Sequence, residues 1–232
     1  MLTGQGFGKI DPDCRPAPLH AGAAMPVCHL YLLLLLCLGL VAGPAAAAVD
    51  AWPAVHDVSG VAADDVLNIR AEPTASAPIV GTFAPDATGI EVVRTTEDGR
   101  WGLVNIGEGT GWVSMAFLAR GPGQYDGASY PITSCFGTEP FWTLAIGSDW
   151  VMTTPEGVTF RSPAAPLTGS IFRRARHGAL SMTSDGRPVA LLTTAERCTD
   201  GMSDREFGLS ASLMIGTGDE MQFHAGCCTL AR

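Results

Sequence analysis

Turn-forming residues divide most of this chain into short segments, and their spacing constrains the fold more than any other feature. After Val49, clusters of Gly, Pro and Asp recur at intervals of roughly 8 to 12 residues, which is typical of all-β domains. The segments between them are rich in β-branched and aromatic side chains, as in WGLVNI at 101–106 and FWTLAI at 141–146. The pattern predicts an all-β protein of short antiparallel strands.

One segment differs in composition from its surroundings and marks a domain boundary. Residues 120–129, RGPGQYDGAS, combine Gly, Pro, Gln and Asp with little to bury, so we predict a linker there. The 49–119 segment before it contains about five candidate strands, which suits a small barrel. The 130–232 segment after it predicts an antiparallel meander that closes into a β-barrel or sandwich.

Two of the candidate strands of the second domain concern segments of nine residues. GSIFRRARH at 169–177 is predicted as one continuous strand. VALLTTAER at 189–197 is predicted as a strand because of its β-branched content, with a short helix as the alternative.

Residues 1–48 have the composition of a targeting segment. An apolar run begins at His29 and ends in a helix-breaking Gly-Pro pair followed by alanines. This pattern predicts a helical signal peptide, cleaved after one of Ala46 to Ala48, and therefore export to the periplasm. An uncleaved membrane anchor is the alternative, since the run approaches the about 20 residues that span a bilayer. Initiation at Met25 in place of Met1 would shorten the leader.

The charge balance argues against whole classes of function. The formal net charge is −9, whereas a protein that binds nucleic acid presents a basic surface to the phosphates. The sequence also has no Gly-rich phosphate loop between a strand and a helix, so we expect no nucleotide. We therefore expect no cofactor and no nucleic-acid partner.

The cysteines predict disulfides in the second domain. Three of the seven lie in or before the leader, and the other four fall in the last hundred residues: Cys135, Cys198, Cys227 and Cys228. An even number in an exported chain indicates two disulfides. Direct pairing of the neighbours Cys227 and Cys228 is geometrically poor. Two pairings remain, and each ties the end of the chain to both Cys135 and Cys198.

Several motifs in the first domain are those of a known family. They are LNIRAEP at 67–73, Gly81, DGRW at 98–101 and GWVS at 111–114. This segment resembles the bacterial SH3 domain, also called SH3b or SH3 type 3. The resemblance implies a half-open β-barrel that binds peptidoglycan or cell-wall peptides and does not imply catalysis. Trp101 and Trp112 are the candidate ligand-binding residues, with a mainly structural role in the core as the alternative.

The second domain has three motifs of its own. They are CFGTEPFW at 135–142, CTDGMSD at 198–204 and GCC at 226–228. These motifs resemble an uncharacterised bacterial envelope family. The small disulfide-tied β module is also similar in character to periplasmic lysozyme inhibitors, although a shared fold does not fix function.

Glu139 is the sharpest candidate acid in the chain. The stretch TSCFGTEPFWTLAI at 133–146 is predicted as the entry strand of the second domain, with Glu139 just before two large aromatic residues. A glycosidase needs a second carboxylate about 5 to 10 Å away, for which Asp200 or Asp204 is the candidate. We expect a structural acid instead, in a turn or paired with Arg197 or Arg205, because a buried charge needs a partner.

Two other clusters contain residue types that can bind a metal ion or an anion. His224, Cys227 and Cys228 spell H-x-x-C-C, but paired zinc-ligand elements are absent and disulfides are favoured, so no metal site is predicted. A basic cluster surrounds His177 and suggests a site for an anion, with a solvated strand face as the alternative. Its members are Arg173, Arg174 and Arg176.

These observations predict a non-enzymatic envelope protein whose first domain binds cell wall or a peptide ligand, with an accessory β domain. One alternative is a periplasmic inhibitor or receptor module that binds a protein partner such as lysozyme. A weaker alternative is a cell-wall hydrolase that uses Glu139.

Overall fold

The computed structural model describes residues 50–170, 172–173 and 175–230. These residues form seventeen β-strands and two short 3-10 turns and contain no α-helix, which confirms the all-β class. None of the described residues belongs to a helix that is long and apolar enough to cross a membrane. The predicted signal helix and membrane anchor lie outside the described residues.

The first eight strands build two antiparallel sheets, ordered β4-β1-β8 and β3-β2-β7-β6-β5. The strands are β1 (Ala54–Val58), β2 (Leu67–Arg70), β3 (Ile79–Phe83), β4 (Ile90–Val92), β5 (Arg94–Thr95), β6 (Trp101–Ile106), β7 (Gly109–Ser114) and β8 (Leu118–Arg120). Buried residues alternate with partly exposed ones along β2 and along most of β7, so each strand turns one row of side chains inward. Their shared core contains Leu67, Ile69, Ile90, Val92, Val104 and Val113.

The remaining strands form one nine-stranded antiparallel sheet, ordered β12-β11-β10-β9-β17-β16-β15-β14-β13. The strands are β9 (Ser134–Thr138), β10 (Phe141–Ile146), β11 (Asp149–Thr154), β12 (Gly157–Pro163), β13 (Thr168–Gly169), β14 (Arg176–Met182), β15 (Pro188–Cys198), β16 (Phe207–Ile215) and β17 (Gln222–Thr229). The sheet curls until β14 meets β12, where the Ser181 hydroxyl donates a 2.6 Å hydrogen bond to the Pro163 carbonyl. We call this element the curled sheet.

The interior of the curled sheet is the larger of the two cores. Successive strands point every second side chain inward, and the most buried of these are large and apolar. They include Trp142, Leu144, Trp150, Met152, Leu191, Leu209, Leu213 and Ile215.

The structure corrects three local predictions. Residues 133–146 form a hairpin of β9 and β10 rather than one strand, with the reversal at Glu139 and Pro140. Residues 169–177 are not one strand, since β13 ends at Gly169 and β14 begins at Arg176. The helical alternative for 189–197 is wrong, because these residues lie in β15.

The two disulfides are Cys135–Cys228 and Cys198–Cys227. The structure thereby selects one of the two pairings that the sequence left open. Cys135 lies directly opposite Cys228 in the β9–β17 register, and both side chains point into the core. Cys227 points to the opposite face of β17, where Cys198 reaches it.

The described residues belong to one compact unit, within which the two sets of strands contact each other. Within the predicted linker, the Gln124 side chain bonds Val55 N at 2.7 Å and Val55 O at 2.8 Å. At the other end of the chain, Leu230 N donates a 2.9 Å hydrogen bond to the buried Glu91 carboxylate. The chain segments that lead into and out of the curled sheet are thus both attached to the first set of strands.

His56 makes this packing sensitive to acid. The imidazole is 1% exposed, stacks on Trp52 with ring centroids 5.6 Å apart, and donates Nδ1–H to the Ala54 carbonyl at 3.1 Å. Burial disfavours the charged ring and lowers the pKa of His56 below its ordinary value of 6.5. At a pH between the lowered pKa of the folded chain and the ordinary pKa of 6.5, His56 is protonated in the unfolded chain and neutral in the folded chain. The free energy of unfolding therefore falls as the pH drops below about 6.5.

We therefore expect the urea midpoint to decrease between pH 7.5 and pH 5.5, where carboxylates remain ionised. One such histidine contributes at most about 1.4 kcal/mol per pH unit. His224, whose pKa burial also lowers, adds to the slope. The His56→Gln variant should show a shallower pH slope than the wild type, and an unchanged slope would contradict this origin.

Candidate functional site

A groove of about 490 Å³ opens on the surface of the first set of strands. Trp101 and Phe117 contribute aromatic surface to its lining, and Asp65 and Arg70 contribute charges of opposite sign. Phe117 is 41% exposed and Trp101 is partly buried, so both present ring surface to solvent. The groove therefore offers an apolar wall with a carboxylate and a guanidinium beside it.

The hairpin before β6 fixes the position of Trp101. The Trp101 amide donates a 3.1 Å hydrogen bond to the Thr96 hydroxyl, which in turn donates to Asp98 at 2.6 Å. Hydrogen bonds from Thr96 and Arg100 hold the pKa of Asp98 at about 2, so this carboxylate stays ionised in its turn. Gly99 has φ of 68°, a backbone conformation that favours glycine. The predicted DGRW motif is thus a rigid support for the tryptophan.

Trp112 lies on the same face of the sheet but has a different environment. Trp101 is opposite Ser114 in the β6–β7 register, which makes Trp101 and Trp112 diagonal neighbours. The Arg94 guanidinium lies 5.0 Å above the Trp112 ring, and Trp112 is not part of the groove lining. The structure therefore places Trp101 in the groove and Trp112 beneath an arginine.

A second groove, of about 830 Å³, lies on the outer surface of the curled sheet. Its lining includes Glu139, Asp200 and the cysteines of the Cys198–Cys227 disulfide. Phe141 is 51% exposed and Met202 is 70% exposed, so this groove combines acidic and apolar surface.

The environment of Asp200 weakens a catalytic interpretation of this acidic groove. Its Oδ1 accepts hydrogen bonds from the amides of Met202 at 3.0 Å and Ser203 at 2.9 Å, and its Oδ2 accepts one from the Ser203 hydroxyl at 2.7 Å. Burial alone would raise the pKa of Asp200, but these donors outweigh it and lower the pKa. The Asp200 carboxylate therefore stabilises its own loop through these hydrogen bonds.

Glu139 does not have the partners that the sequence suggested. Its side chain is exposed, so the expectation of a buried ion pair is wrong. Arg197 pairs with Glu206, and Arg205 donates to the Gly107 carbonyl at 2.7 Å and lies 3.4 Å from Glu108. Both arginines are engaged elsewhere, and the Glu139 carboxylate lies exposed at the hairpin turn.

In the structure, the histidines of the two sequence clusters, His224 and His177, have separate environments. Cys227 and Cys228 are both in disulfides, and the His224 ring packs against Trp142 with centroids 5.8 Å apart. His177 is 3% exposed and its ring centroid lies 5.3 Å from that of Tyr130, so its ring faces inward while the side chain of its neighbour Arg176 is exposed. Across the described ranges, no three His, Cys, Asp or Glu side chains lie close enough together to hold a metal ion.

Residues 65–119 match the bacterial SH3 domain family. We call these residues the SH3 segment. Domains of this family generally bind cell-wall or peptide ligands. No match was found among curated proteins or among solved structures. The resemblance of the motifs between Cys135 and Cys228 to an envelope family is not confirmed by these comparisons.

The SH3 segment supplies most of the first groove, including Asp65, Arg70, Trp101 and Phe117. Phe117 was not among the residues predicted from the sequence. It lies in the 3-10 turn after β7, and only the three-dimensional fold brings that turn beside Trp101.

Sequence reasoning also missed Glu206, a buried acid that pairs with two arginines. Its side chain is 6% exposed, and Oε1 lies 2.9 Å from Arg94 Nε while Oε2 contacts Arg197. Asn105 holds the Glu206 backbone in both directions: its Nδ2 donates to Glu206 O at 2.9 Å, and its Oδ1 accepts from Glu206 N at 3.0 Å. This cluster joins the SH3 segment to the curled sheet, because Arg94 and Asn105 belong to one and Arg197 to the other.

Proposed function

We propose that this chain is a non-enzymatic, exported envelope protein whose SH3 segment binds peptidoglycan or a cell-wall peptide, with the curled sheet as an accessory domain. The observation that carries the proposal is the 490 Å³ groove, with Trp101 positioned by its hairpin inside a segment of a peptide-binding family. Aromatic surface beside polar groups is the usual composition of a small-ligand groove.

The charges of the groove suit the chemistry of a wall peptide. Such a peptide has short aliphatic side chains, carboxylates and free amines. Asp65 provides a carboxylate for an amine, and Arg70 provides a guanidinium for a carboxylate. Trp101 and Phe117 provide apolar surface for the aliphatic groups.

The disulfides support an exported location. Cys135, Cys198, Cys227 and Cys228 are all paired, and stable structural disulfides form in oxidising compartments such as the periplasm. The predicted signal peptide leads to the same proposal from an independent part of the chain.

Replacing Trp101 with alanine tests the proposed site. We expect the full chain to co-sediment with insoluble peptidoglycan and the Trp101→Ala variant to bind about tenfold more weakly, since a buried aromatic contact at an interface contributes more than 1 kcal/mol. Trp101→Phe, which keeps an aromatic ring, should retain more of the binding than Trp101→Ala.

Phe141→Ala is the matched control, because it removes an exposed aromatic ring from the curled sheet and leaves the 490 Å³ groove intact. Circular dichroism should show that all variants are folded. Recovery of the wild type in the supernatant at both low and high salt would contradict the proposal, as would equal binding of Trp101→Ala.

A second candidate function is binding of a basic protein partner by the curled sheet. The 830 Å³ groove favours it, because the exposed Glu139 carboxylate lies near the exposed side chains of Phe141 and Met202. Inhibition of lysozyme by the full chain, weakened in Glu139→Lys, would support this function. Unchanged lysozyme activity at high chain concentration would remove it.

A further inference from the structure

The outer surface of the curled sheet has an apolar face that the proposed functions do not use. It spans β14, β15, β16 and β17, whose outward side chains form rows across the sheet. The central row is continuous in the strand register, since Leu180 is opposite Ala190, Ala190 opposite Met214, and Met214 opposite Phe223. A second row pairs Met182 with Pro188.

This apolar face is unusually exposed for its composition. Leu180 is 76% exposed, Met182 57%, Phe223 58% and Leu192 48%. No charged side chain interrupts the rows between residues 178–182, 188–192 and 212–216. Contiguous apolar surface of this kind on a soluble domain marks an interaction site.

Two opposite corners of the apolar face have opposite charge. Arg176 begins β14 and Arg173 precedes that strand by three residues, on one side of the four strands. Asp219 and Glu220 lie in the turn between β16 and β17, at the other end and on the other side. All four side chains are exposed, and within the part of the chain that the structure describes none of them has an ion-pair partner.

We propose that the occupant of this face is a second copy of the chain, packed face to face with its strands crossing at nearly a right angle. A two-fold axis along the other diagonal of the face, at one end of which Asp185 and Arg187 pair with each other, places the basic corner of each copy over the acidic corner of the other. Orthogonal packing is one of the two standard arrangements of stacked sheets. A two-fold contact forms both charge-paired corners at once, because the same patch serves on both copies.

The size of the face fits a reversible dimer. Four strands spaced about 4.8 Å apart and seven residues long give a footprint of roughly 24 by 19 Å. Standing side chains expose more area than this footprint, so each copy buries several hundred Å², near the lower end of specific interfaces. We expect a dissociation constant of about 10 μM, since small interfaces with few anchors bind at micromolar concentrations.

Sedimentation velocity of the full chain across a wide concentration range tests the dimer. The wild type should shift from monomer to dimer, and Leu180→Asp should stay monomeric over the same range because it places a charge on the central row. Val158→Asp is the matched control and should dimerise as the wild type does, since Val158 is 57% exposed and lies five residues along β12 from Pro163, where β12 meets β14.

A charge exchange tests the orientation of the two copies. Arg176→Glu should weaken association about tenfold, because it introduces like charges at both corners. Adding Glu220→Arg to the same chain should restore part of the association, since the charges at positions 176 and 220 are then again opposite at both corners.

Three outcomes would overturn the proposal: a wild type that stays monomeric throughout, association that survives Leu180→Asp, or a double variant that associates no better than Arg176→Glu. Binding of lipid vesicles or of a different protein through this face by a monomeric chain would likewise replace the second copy as the occupant. Circular dichroism and non-reducing mass mapping of both disulfides should show that each variant is folded.

Discussion

Replacing Cys135 and Cys228 together with alanine is expected to lower the free energy of unfolding by about 4.5 kcal/mol. The disulfide joins residues separated by 93 positions, so it removes a large amount of loop-closure entropy from the unfolded chain. Both cysteines are fully buried, and alanine leaves no unsatisfied polar group in their place. The measurement is urea denaturation of the double variant and the wild type under non-reducing conditions.

The second disulfide provides the internal control. Cys198 and Cys227 are separated by only 29 positions, and the same entropic argument gives about 3.5 kcal/mol for their replacement with alanine. The main prediction is the order: the Cys135 and Cys228 variant should lose more free energy of unfolding than the Cys198 and Cys227 variant. A larger loss for the Cys198 and Cys227 variant would mean that native-state packing, rather than loop length, determines the contribution of these bonds.

The disulfides also show how far sequence reasoning extends in this chain. The predicted signal peptide and the even number of cysteines after it predict two bonds, and poor geometry excludes a bond between neighbours. Alternation along a strand then sends Cys227 and Cys228 to opposite faces. What local pattern does not contain is the β9–β17 register, which places Cys228 and not Cys227 directly across from Cys135.

Short-range signals predicted the SH3 segment well because its motifs are self-contained. The predicted segment 101–106 coincides with β6, and the DGRW hairpin positions Trp101 through bonds among residues 96–101. The different environments of Trp101 and Trp112 depend on Arg94, which extends across the sheet to cover only Trp112. That distinction is a long-range contact, and sequence spacing does not report it.

Glu139 and Glu206 also show the difference between a local sequence pattern and a long-range contact. Glu139 has a conspicuous sequence context beside Pro140 and two aromatic residues, yet its side chain is exposed at a hairpin turn. Glu206 follows an arginine in an ordinary polar loop, yet it is buried between two arginines from separate parts of the chain. Burial of a charge depends on which strands meet, so a local motif is a weak indicator of it.

The Glu206 cluster should respond asymmetrically to removal of its members. Replacing both Arg94 and Arg197 with alanine leaves a carboxylate that is 6% exposed without its cations, and we expect a loss of about 3 kcal/mol in the free energy of unfolding. Glu206→Ala should cost less, about 1.5 kcal/mol. The arginine side chains are 48% and 73% exposed and can return to water, so their hydration offsets much of the lost pairing.

Arg100→Ala supplies the scale for an ordinary surface pair, since Arg100 is 78% exposed and its partner Asp98 is 49% exposed. We expect it to cost less than either change at the Glu206 cluster in the same urea titration, because water screens an exposed pair. Hydrogen exchange should add a spatial readout: in the double-arginine variant, amides of β5 and β16 should lose protection before those of β11. Equal losses for the double-arginine variant and Glu206→Ala would show that the buried charge is hydrated from elsewhere, and that these arginines contribute little to joining the SH3 segment to the curled sheet.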